Sequence, residues 1–249
     1  MRFSDSVAVV TGGGQGIGAA VAQALAREGA SIVVAARTKE RIDAIAQAVQ
    51  DGRGGGRARA VVCDVTDPAS VRSLAKAAGP IDILVNNAGV AHSAPLSRIT
   101  LEDWNRVLAV NATGTFLCTQ AFVGAMLERK RGAIVNVASI AGLGGARYIA
   151  AYSAAKHAVI GFTRSVAAEL EGTGVVCNAV CPGYVDTEMT QASVARVAAK
   201  TGKSPEAALA GMMAASGQER LITADEVATA VLRLCSLTGK PNGIIERVG

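Results

Sequence analysis

Short runs of aliphatic residues alternate with amphipathic segments along the whole chain. The runs lack the polar alternation of half-exposed strands and are typical of strands buried on both faces of a parallel sheet. Between them, apolar residues recur at helical spacing, as Ile42, Ile45 and Val49 do after the second run. We predict strands at 7–10, 31–36, 58–63, 81–85, 132–137, 175–181 and 243–248.

The segments between these runs predict helices. Their apolar spacing and start signals favour helices at 19–26, 39–50, 68–78, 101–129, 151–171 and 224–235, with 187–218 helical in parts. Strict alternation of strand and helix predicts a three-layer α/β fold, in which a doubly wound, mainly parallel sheet of seven strands has helices on both faces. The glycine-rich stretch 51–57 predicts a flexible turn too short to link domains, so we expect one domain over residues 1–249.

Composition excludes several classes of function. Of the 249 residues, 50% are hydrophobic but only 3% aromatic, so the core is built from Ala, Val, Ile and Leu. The net charge of +5 is dispersed and aromatic residues are scarce, which argues against nucleic-acid binding. No apolar run reaches about 18 residues, which argues against a membrane span. The N-terminus lacks a signal-peptide pattern and the five cysteines are scattered, which favours a reducing cytoplasm.

The turn between the first strand and the first helix is rich in glycine. Residues 11–18 read TGGGQGIG, which contains Gly14-x-Gly16-x-x-Ala19 and Gly12-x-x-x-Gly16-x-Gly18. At such a turn the backbone N–H groups and the helix dipole face an anion, and absent side chains let a pyrophosphate approach. The pattern favours dinucleotide binding over the alternative, a purely structural turn.

Polar residues and glycines follow nearly every predicted strand. In doubly wound sheets ligands bind beyond the carboxyl ends of the strands, near the point where strand order reverses. Each such residue alone could be a helix cap or a turn, but together they predict a cofactor cleft. They are the glycine turn, Arg37, Asp64, the Asn86–Gly89 turn, Ser139 and Pro182-Gly183.

Tyr152 and Lys156 are the candidate catalytic pair. Their i, i+4 spacing puts both side chains on one helix face. An ammonium near a phenol stabilises the phenolate, so we expect the pKa of Tyr152 to fall towards neutrality, where it can act as a general acid/base. The alternative is a Tyr–Lys pair on a solvated face. Ser139, expected at the end of the fifth strand, favours catalysis because its hydroxyl could hold a substrate oxygen against Tyr152.

Taken in order, these motifs resemble those of the short-chain dehydrogenase/reductase family over almost the whole chain. The glycine turn is similar to the family's nucleotide fingerprint, Asp64 to its adenine-contacting acid, and Asn86-Asn87-Ala88-Gly89 to its sheet-stabilising turn. The resemblance extends to the family's catalytic tetrad and to the segment beside its nicotinamide, and it implies a Rossmann fold. The residues similar to the tetrad are Asn111, Ser139, Tyr152 and Lys156, and those similar to the segment are Pro182-Gly183 and Thr187.

The resemblance implies a role for each tetrad residue. Tyr152 would protonate a carbonyl oxygen or deprotonate an alcohol, and Ser139 would orient that oxygen. Lys156 would bind the nicotinamide ribose and lower the pKa of Tyr152, while Asn111 would hold a water that relays protons. No metal is implied. The residues expected to bind the cofactor are Gly12, Gly14, Gln15, Gly16, Ile17, Gly18, Arg37, Asp64, Val65, Asn87, Ala88, Gly89, Tyr152, Lys156, Pro182, Gly183, Val185 and Thr187.

The end of the second strand bears on the choice of cofactor. NAD-preferring relatives place an acidic residue where this chain has Ala36, and the next residue, Arg37, suits a 2′-phosphate. Against this, the glycine turn carries Gln15 where many NADP-dependent relatives carry a basic residue. We expect NADP(H) to be preferred and NAD(H) to be possible.

The substrate is set by residues that the family does not fix. By resemblance to bacterial 3-oxoacyl thioester reductases and ketoreductases, we expect reduction of a ketone or 3-oxoacyl thioester, the latter linked to CoA or a carrier. The alternatives are an NAD-dependent 3-hydroxy acid or secondary alcohol dehydrogenase and a non-enzymatic dinucleotide sensor. Residues 187–218 would form a mobile substrate lid. The candidate substrate wall is Leu143, Tyr148, Ile149, Tyr184 and Met189.

The resemblance also implies a homodimer or homotetramer. The expected contacts are the exposed faces of the helices around 104–127 and 152–170. Residues 237–249, LTGKPNGIIERVG, depart from the usual ending of the family, which lies at a subunit contact and is a threonine-glycine turn, a strand and a terminal Asp-Gly-Gly. This departure leaves the choice between dimer and tetramer open.

Overall fold

The computed structural model describes residues 1–52, 57–235, 237 and 240–249. A parallel sheet forms the centre of the fold. The sheet has seven strands in the order β3-β2-β1-β4-β5-β6-β7, and every pair is parallel. The predicted doubly wound parallel sheet is therefore confirmed, and its strand order reverses between β1 and β4. The strands are β1 (Val7–Thr11), β2 (Ser31–Ala36), β3 (Ala58–Val62), β4 (Ile83–Asn86), β5 (Gly132–Val137), β6 (Val175–Pro182) and β7 (Ile245–Val248).

Helices cover both faces of the sheet. Successive residues of one strand enter opposite cores, since Val34 packs with α1, α2 and α9, whereas Val33 packs with α3, α5 and α6. Because both faces of the central strands are buried, β1, β2 and β4 read as nearly continuous aliphatic runs. The helices in the described part of the chain are α1 (Gly16–Arg27), α2 (Lys39–Gln50), α3 (Pro68–Ala78), α4 (Leu101–Leu108), α5 (Gly114–Glu128), α6 (Ala150–Glu169), α7 (Glu188–Thr201), α8 (Pro205–Ser216) and α9 (Ala224–Leu234).

One predicted element differs from the structure in a way that matters for the site. The helix predicted at 101–129 is interrupted by a π-helical turn, Ala109–Thr113, which separates α4 from α5. Segment 187–218, predicted to be helical in parts, contains α7 and α8. Residues 53–56 of the turn predicted at 51–57 lie outside the described residues.

The helical stretch 101–128 is apolar enough to raise the question of a membrane, although the sequence predicted no span. By length and composition alone this stretch could cross a bilayer. Its side chains Cys118, Phe122 and Met126 are instead packed in the core against the sheet. Core helices meet the same criterion, so the hydropathy of this stretch is weak evidence for a membrane.

A buried carboxylate ties strands together at the end of the sheet opposite to the glycine turn. Asp82 is only 6% exposed, and its Oδ2 accepts the backbone N–H of Val7 at 3.0 Å. Its Oδ1 lies 3.0 Å from Arg129 Nη1 and 3.3 Å from Arg131 Nε. One side chain thus connects the start of β1, the approach to β4 and the turn before β5.

We expect Asp82→Ala to lower the free energy of unfolding by about 1–3 kcal/mol, because it removes a buried hydrogen bond and both ion pairs. Chemical denaturation measures this loss. Asp43→Ala is the control, since Asp43 pairs with Lys39 at 2.5 Å on the exposed face of α2, where the loss of the ion pair should change the free energy of unfolding very little. Equal losses in the two variants would contradict the anchoring role of Asp82.

Candidate active site

The glycine turn after β1 is packed too tightly to accept side chains. Gly12 and Gly16 have φ values of +62° and +51°, a region that favours glycine. A Cβ on Gly12 would lie 2.8 Å from the Cα of Ala88, and one on Gly18 would overlap the Gly12 carbonyl oxygen. The glycines therefore let the chain turn sharply from β1 into α1 while touching the turn after β4.

Asn87 fixes the relation between these two turns. Its Nδ2 donates to the carbonyl oxygens of Thr11 at 3.0 Å and Gly12 at 3.1 Å. In return, Thr11 Oγ1 accepts the backbone N–H groups of Asn87 at 3.0 Å and Ala88 at 3.2 Å. The two strands on either side of the switch point are thus joined at their carboxyl ends, where the cleft opens.

A cleft of about 230 Å³ lies along the glycine turn. It also contains residues that sequence reasoning missed, among them Thr38 and Arg41, because only the residues next to each strand end were considered. Met189, predicted for the substrate, lies in this cleft instead. The predicted cofactor residues that line it are Gly12, Gly14, Gln15, Gly16, Ile17, Arg37, Asp64, Val65, Asn87, Ala88, Gly89 and Thr187.

Charges at one end of the cleft come from β2, β3 and α2. Asp64 accepts the backbone N–H of Thr66 at 2.9 Å and the hydroxyl of Thr66 at 2.7 Å. These bonds, the backbone one foremost, and the nearby Arg37 lower the pKa of Asp64, so it stays ionised. Arg37 is exposed at the end of β2, next to uncharged Ala36. This end of the cleft therefore presents one fixed carboxylate and the cations Arg37 and Arg41.

The cleft fits a nicotinamide dinucleotide. A Cβ on Gly14 or Gly16 would crowd Arg41 or Thr187, so both glycines keep this wall open. Gln15 caps α1 without a side-chain hydrogen bond, and the first turn of α1 has no acidic residue. The positive end of α1 is thus available to a pyrophosphate. Among the described residues, no three His, Cys, Asp or Glu side chains cluster as metal ligands would.

Lys156 is buried beside the cleft. Only 4% of it is exposed, and its Nζ donates to the Val137 carbonyl oxygen at 2.8 Å. Burial lowers the pKa of Lys156 to about 8. A Cβ on Gly89, which lines the cleft, would lie 3.8 Å from this Nζ. Gly89 is therefore the point where the cleft meets the candidate catalytic residues.

Tyr152 lies one helical turn before Lys156 on α6, and the Lys156 Nζ is 5.7 Å from its ring centroid. The predicted shared face is therefore correct. The predicted direction of the pKa shift is wrong for the free chain, because burial raises the pKa of Tyr152 and the Ser139 hydroxyl opposes this only in part. Lys156 directs its ammonium to the Val137 carbonyl, which explains why it does not act mainly on the phenol.

Ser139 follows β5 and faces the same cluster. Its Oγ accepts the backbone N–H of Ala141 at 3.1 Å and lies 3.5 Å from the Pro182 carbonyl oxygen. The position of Ser139 thus brings the end of β5, the end of β6 and Tyr152 together. Tyr184, two residues after Pro182, is also near enough to raise the pKa of Tyr152.

Asn111 lies in the π-helical turn. Its Nδ2 donates to the carbonyl oxygens of Val90 at 2.9 Å and Val107 at 2.8 Å, and its Oδ1 accepts the Val90 N–H at 3.3 Å. A Cβ on Gly89 would lie 2.8 Å from this Oδ1. The side chain of Asn111 therefore holds the segment after β4 in place. The relay of protons through a water at Asn111 stays a prediction.

The remaining predicted residues are more scattered. Leu143 is 47% exposed and Tyr148 is 59% exposed with a φ of +68°. With Ile149, which precedes α6, they lie outside the cleft described above. The other predicted cofactor residues outside it are Gly18, Tyr152, Lys156, Pro182, Gly183 and Val185.

Gln218 is a positioning residue that sequence reasoning missed. Its Oε1 accepts the Tyr184 N–H at 2.7 Å, and its Nε2 donates to the Tyr184 carbonyl at 2.7 Å and to the Arg220 carbonyl at 2.6 Å. A Cβ on Gly183 would overlap this side-chain oxygen. Gln218 thus fastens the end of segment 187–218 to the residues after β6. No motif in the sequence marks it.

Comparison with known proteins finds relatives that are reductases and dehydrogenases. A 3-oxoacyl-acyl-carrier-protein reductase of Synechocystis sp. is 45% identical over 76% of this chain and 78% of its own. A D-threitol dehydrogenase of Mycolicibacterium smegmatis is 45% identical over 76% of this chain and 73% of its own. Among solved structures, a variant of actinorhodin polyketide ketoreductase with NADPH has a TM-score of 0.90 and 34% identity, covering 100% of this chain and 97% of that one.

The family model confirms the resemblance inferred from the motifs. It matches residues 6–198, which span the glycine turn, Asn111, Ser139, Tyr152 and Lys156. The chain belongs to the short chain dehydrogenase family.

Proposed function

We propose that this protein is an NADP(H)-dependent oxidoreductase that reduces a ketone or 3-oxoacyl thioester to a secondary alcohol. The observation that carries the proposal is the cluster of the buried Ser139 and Lys156 with the partly buried Tyr152, which adjoins the dinucleotide cleft at Gly89. The reductase and ketoreductase among its relatives support the substrate class. A phenol, a hydroxyl and an ammonium at the end of such a cleft are the groups that carbonyl reduction requires.

Tyr152 is the proposed general acid. The hydride that reduces the carbonyl carbon would come from NADPH bound in the cleft. Tyr152 donates the proton that the carbonyl oxygen needs, and its raised pKa keeps the phenol protonated at neutral pH before the reaction. The Ser139 hydroxyl, which faces Tyr152, orients the same oxygen and favours the phenolate that remains.

Lys156 has two proposed tasks. With a pKa of about 8 it is mainly cationic at pH 7, and a cation beside the phenol favours the phenolate that remains after proton transfer. The bond to the Val137 carbonyl fixes the ammonium near Gly89, where it can also bind the ribose of the cofactor. Asn111 supports this site by holding the Val90 backbone.

Arg37 is the proposed origin of the preference for NADP(H). It is exposed at the end of β2 and lines the cleft, while the neighbouring Ala36 offers no carboxylate to a 2′-hydroxyl. A planar guanidinium suits a phosphate, which it binds through two parallel hydrogen bonds. The NADPH in the ketoreductase structure supports the same choice.

Further parts of the proposal concern partners. The acyl-carrier-protein reductase among the relatives supports a carrier-linked substrate, and residues 187–218 would close over it as a lid. Exposed apolar side chains on α4 and α5, namely Leu101, Phe116 and Leu127, support a homodimer or homotetramer through these helices.

Five buried free cysteines support a cytoplasmic location.

A dehydrogenase acting on secondary alcohols or 3-hydroxy acids is the second candidate. The D-threitol dehydrogenase at 45% identity favours it, because the same tyrosine can deprotonate an alcohol in the oxidative direction. Tighter binding of NADH than of NADPH would make this candidate the leading one.

We expect Tyr152→Phe to lower kcat for carbonyl reduction at least 100-fold, because general acid catalysis typically contributes about 10²–10⁴-fold. Steady-state kinetics with a panel of ketones and 3-oxoacyl thioesters measures this loss. NADPH affinity, measured in the same preparation by fluorescence titration, should stay within about twofold of wild type because the phenol does not line the cleft. A loss of less than about tenfold in kcat would rule out Tyr152 as the acid.

We expect Arg37→Ala to weaken NADPH binding about tenfold or more and to leave NADH binding within about twofold, because only the 2′-phosphate is lost as a partner. Parallel titrations of both cofactors measure the difference. Arg27→Ala is the matched control, since Arg27 ends α1 and pairs with Asp225 away from the cleft. Unchanged NADPH affinity in Arg37→Ala would refute this source of the preference.

The lowered pKa of Lys156 makes the free energy of unfolding depend on pH. Its folded pKa of about 8 lies below the ordinary value of 10.5, so between these values only the unfolded chain keeps the proton. The free energy of unfolding of the wild type, minus that of Lys156→Met, should therefore rise by about 3 kcal/mol from pH 8 to 10.5. Below pH 7 this difference should stay constant. Urea denaturation across this range measures the rise. Lys76→Met, at an exposed position on α3, is the control, and a flat difference for Lys156→Met would contradict the buried ammonium.

A further inference from the structure

A second arginine reaches the cofactor cleft from α2. Arg41 lies in the first turn of this helix and lines the cleft with Arg37 and Thr38. A Cβ on Gly14 would lie 3.0 Å from the Cβ of Arg41, so the stem of this side chain packs against the glycine turn. Its side chain is 46% exposed, which leaves the guanidinium free to change partners.

A carboxylate from the opposite side of the cleft holds this guanidinium. Arg41 Nη1 lies 2.8 Å from Glu188 Oε2 at the start of α7. The residues on either side of Glu188, Thr187 and Met189, line the cleft, and a Cβ on Gly16 would lie 3.1 Å from Thr187. The ion pair therefore spans the cleft between α2 and the segment proposed as a lid.

The N-terminus of α2 adds backbone N–H donors to the end of the cleft where Arg37 and Arg41 lie. Thr38 caps this 12-residue helix, and within the described residues its side chain makes no cap hydrogen bond. The N–H groups of the first turn thus keep their capacity to bind an anion, and the helix dipole favours negative charge there. Arg41 and Arg37 flank this helix start, so an anion between them would meet two guanidinium groups.

We infer that Arg41 is a second ligand of the 2′-phosphate of NADP(H), and that Glu188 holds it until the phosphate binds. This inference rests on the proposed function, which supplies the cofactor. An exposed ion pair is weak, whereas a phosphate dianion accepts strong charge-assisted hydrogen bonds from a guanidinium. Arg41 therefore exchanges Glu188 for the phosphate. NADH lacks the phosphate and leaves the Arg41–Glu188 pair intact.

The test is a set of equilibrium titrations with NADPH and NADH at low and high salt. Arg41→Ala keeps the Cβ that packs against Gly14, and it should weaken NADPH binding at least fivefold while NADH binding stays within twofold. Glu188→Gln frees Arg41 and should tighten NADPH binding about two- to fivefold, an effect that shrinks at high salt. Lys39→Ala is the control, because it removes an equal charge from the same helix turn, where Lys39 pairs with Asp43.

The outcomes separate this inference from the proposed function. If wild type binds neither cofactor, or binds NADH more tightly, the proposed function fails before the variants are compared. If wild type prefers NADPH and Arg37→Ala removes the preference, the cofactor preference in the proposed function stands. Arg41→Ala then overturns the inference if it leaves NADPH affinity unchanged or weakens both cofactors equally. An unchanged NADPH affinity in Glu188→Gln overturns the exchange of partners.

Discussion

The hydrogen bonds of the Asn87 side chain set the geometry on which the rest of the site depends. One amide group donates to the carbonyls of Thr11 and Gly12, and the Thr11 hydroxyl accepts two backbone N–H groups from the opposite turn. These bonds hold the glycine turn at the switch point of the sheet, where the positive end of α1 faces the cleft. The same turn after β4 continues to Gly89, which faces Asn111 and Lys156, so a shift of Asn87 would also alter the cleft beside these two residues.

The proposed catalytic cluster of Ser139, Tyr152 and Lys156 combines burial with charge, which lowers the stability of the fold. Desolvation raises the pKa of Tyr152 and lowers that of Lys156, so it favours the neutral form of both groups. The cluster persists because a larger core surrounds it and because the Val137 carbonyl accepts a hydrogen bond from the ammonium. Sites prepared for a charged reaction commonly lower the stability of the fold in this way.

Much of the fold and part of the site follow from the sequence. Strands buried on both faces leave a pattern that few other elements share, and the residues after β1, β2 and β4 meet in one cleft because parallel strands end at one edge. The π-helical turn at 109–113 could not be predicted, since its apolar periodicity continues that of α4 and α5. Gln218 and Arg41 were missed because their partners, Tyr184 and Glu188, are distant in sequence. The pKa direction of Tyr152 was missed because spacing reveals its neighbour but not its burial.

The two hydrogen bonds between Gln218 and the Tyr184 backbone have a consequence for how this fold can diversify. Because Gln218 bonds both backbone groups of Tyr184, the chain leaves the body of the protein after β6 and returns to almost the same point. Loop-closure entropy grows only slowly with length, so a segment with pinned ends tolerates insertion and replacement. Residues 190–217 lie between these pinned ends, so evolution or engineering can replace them while Ser139, Tyr152 and Lys156 keep their positions.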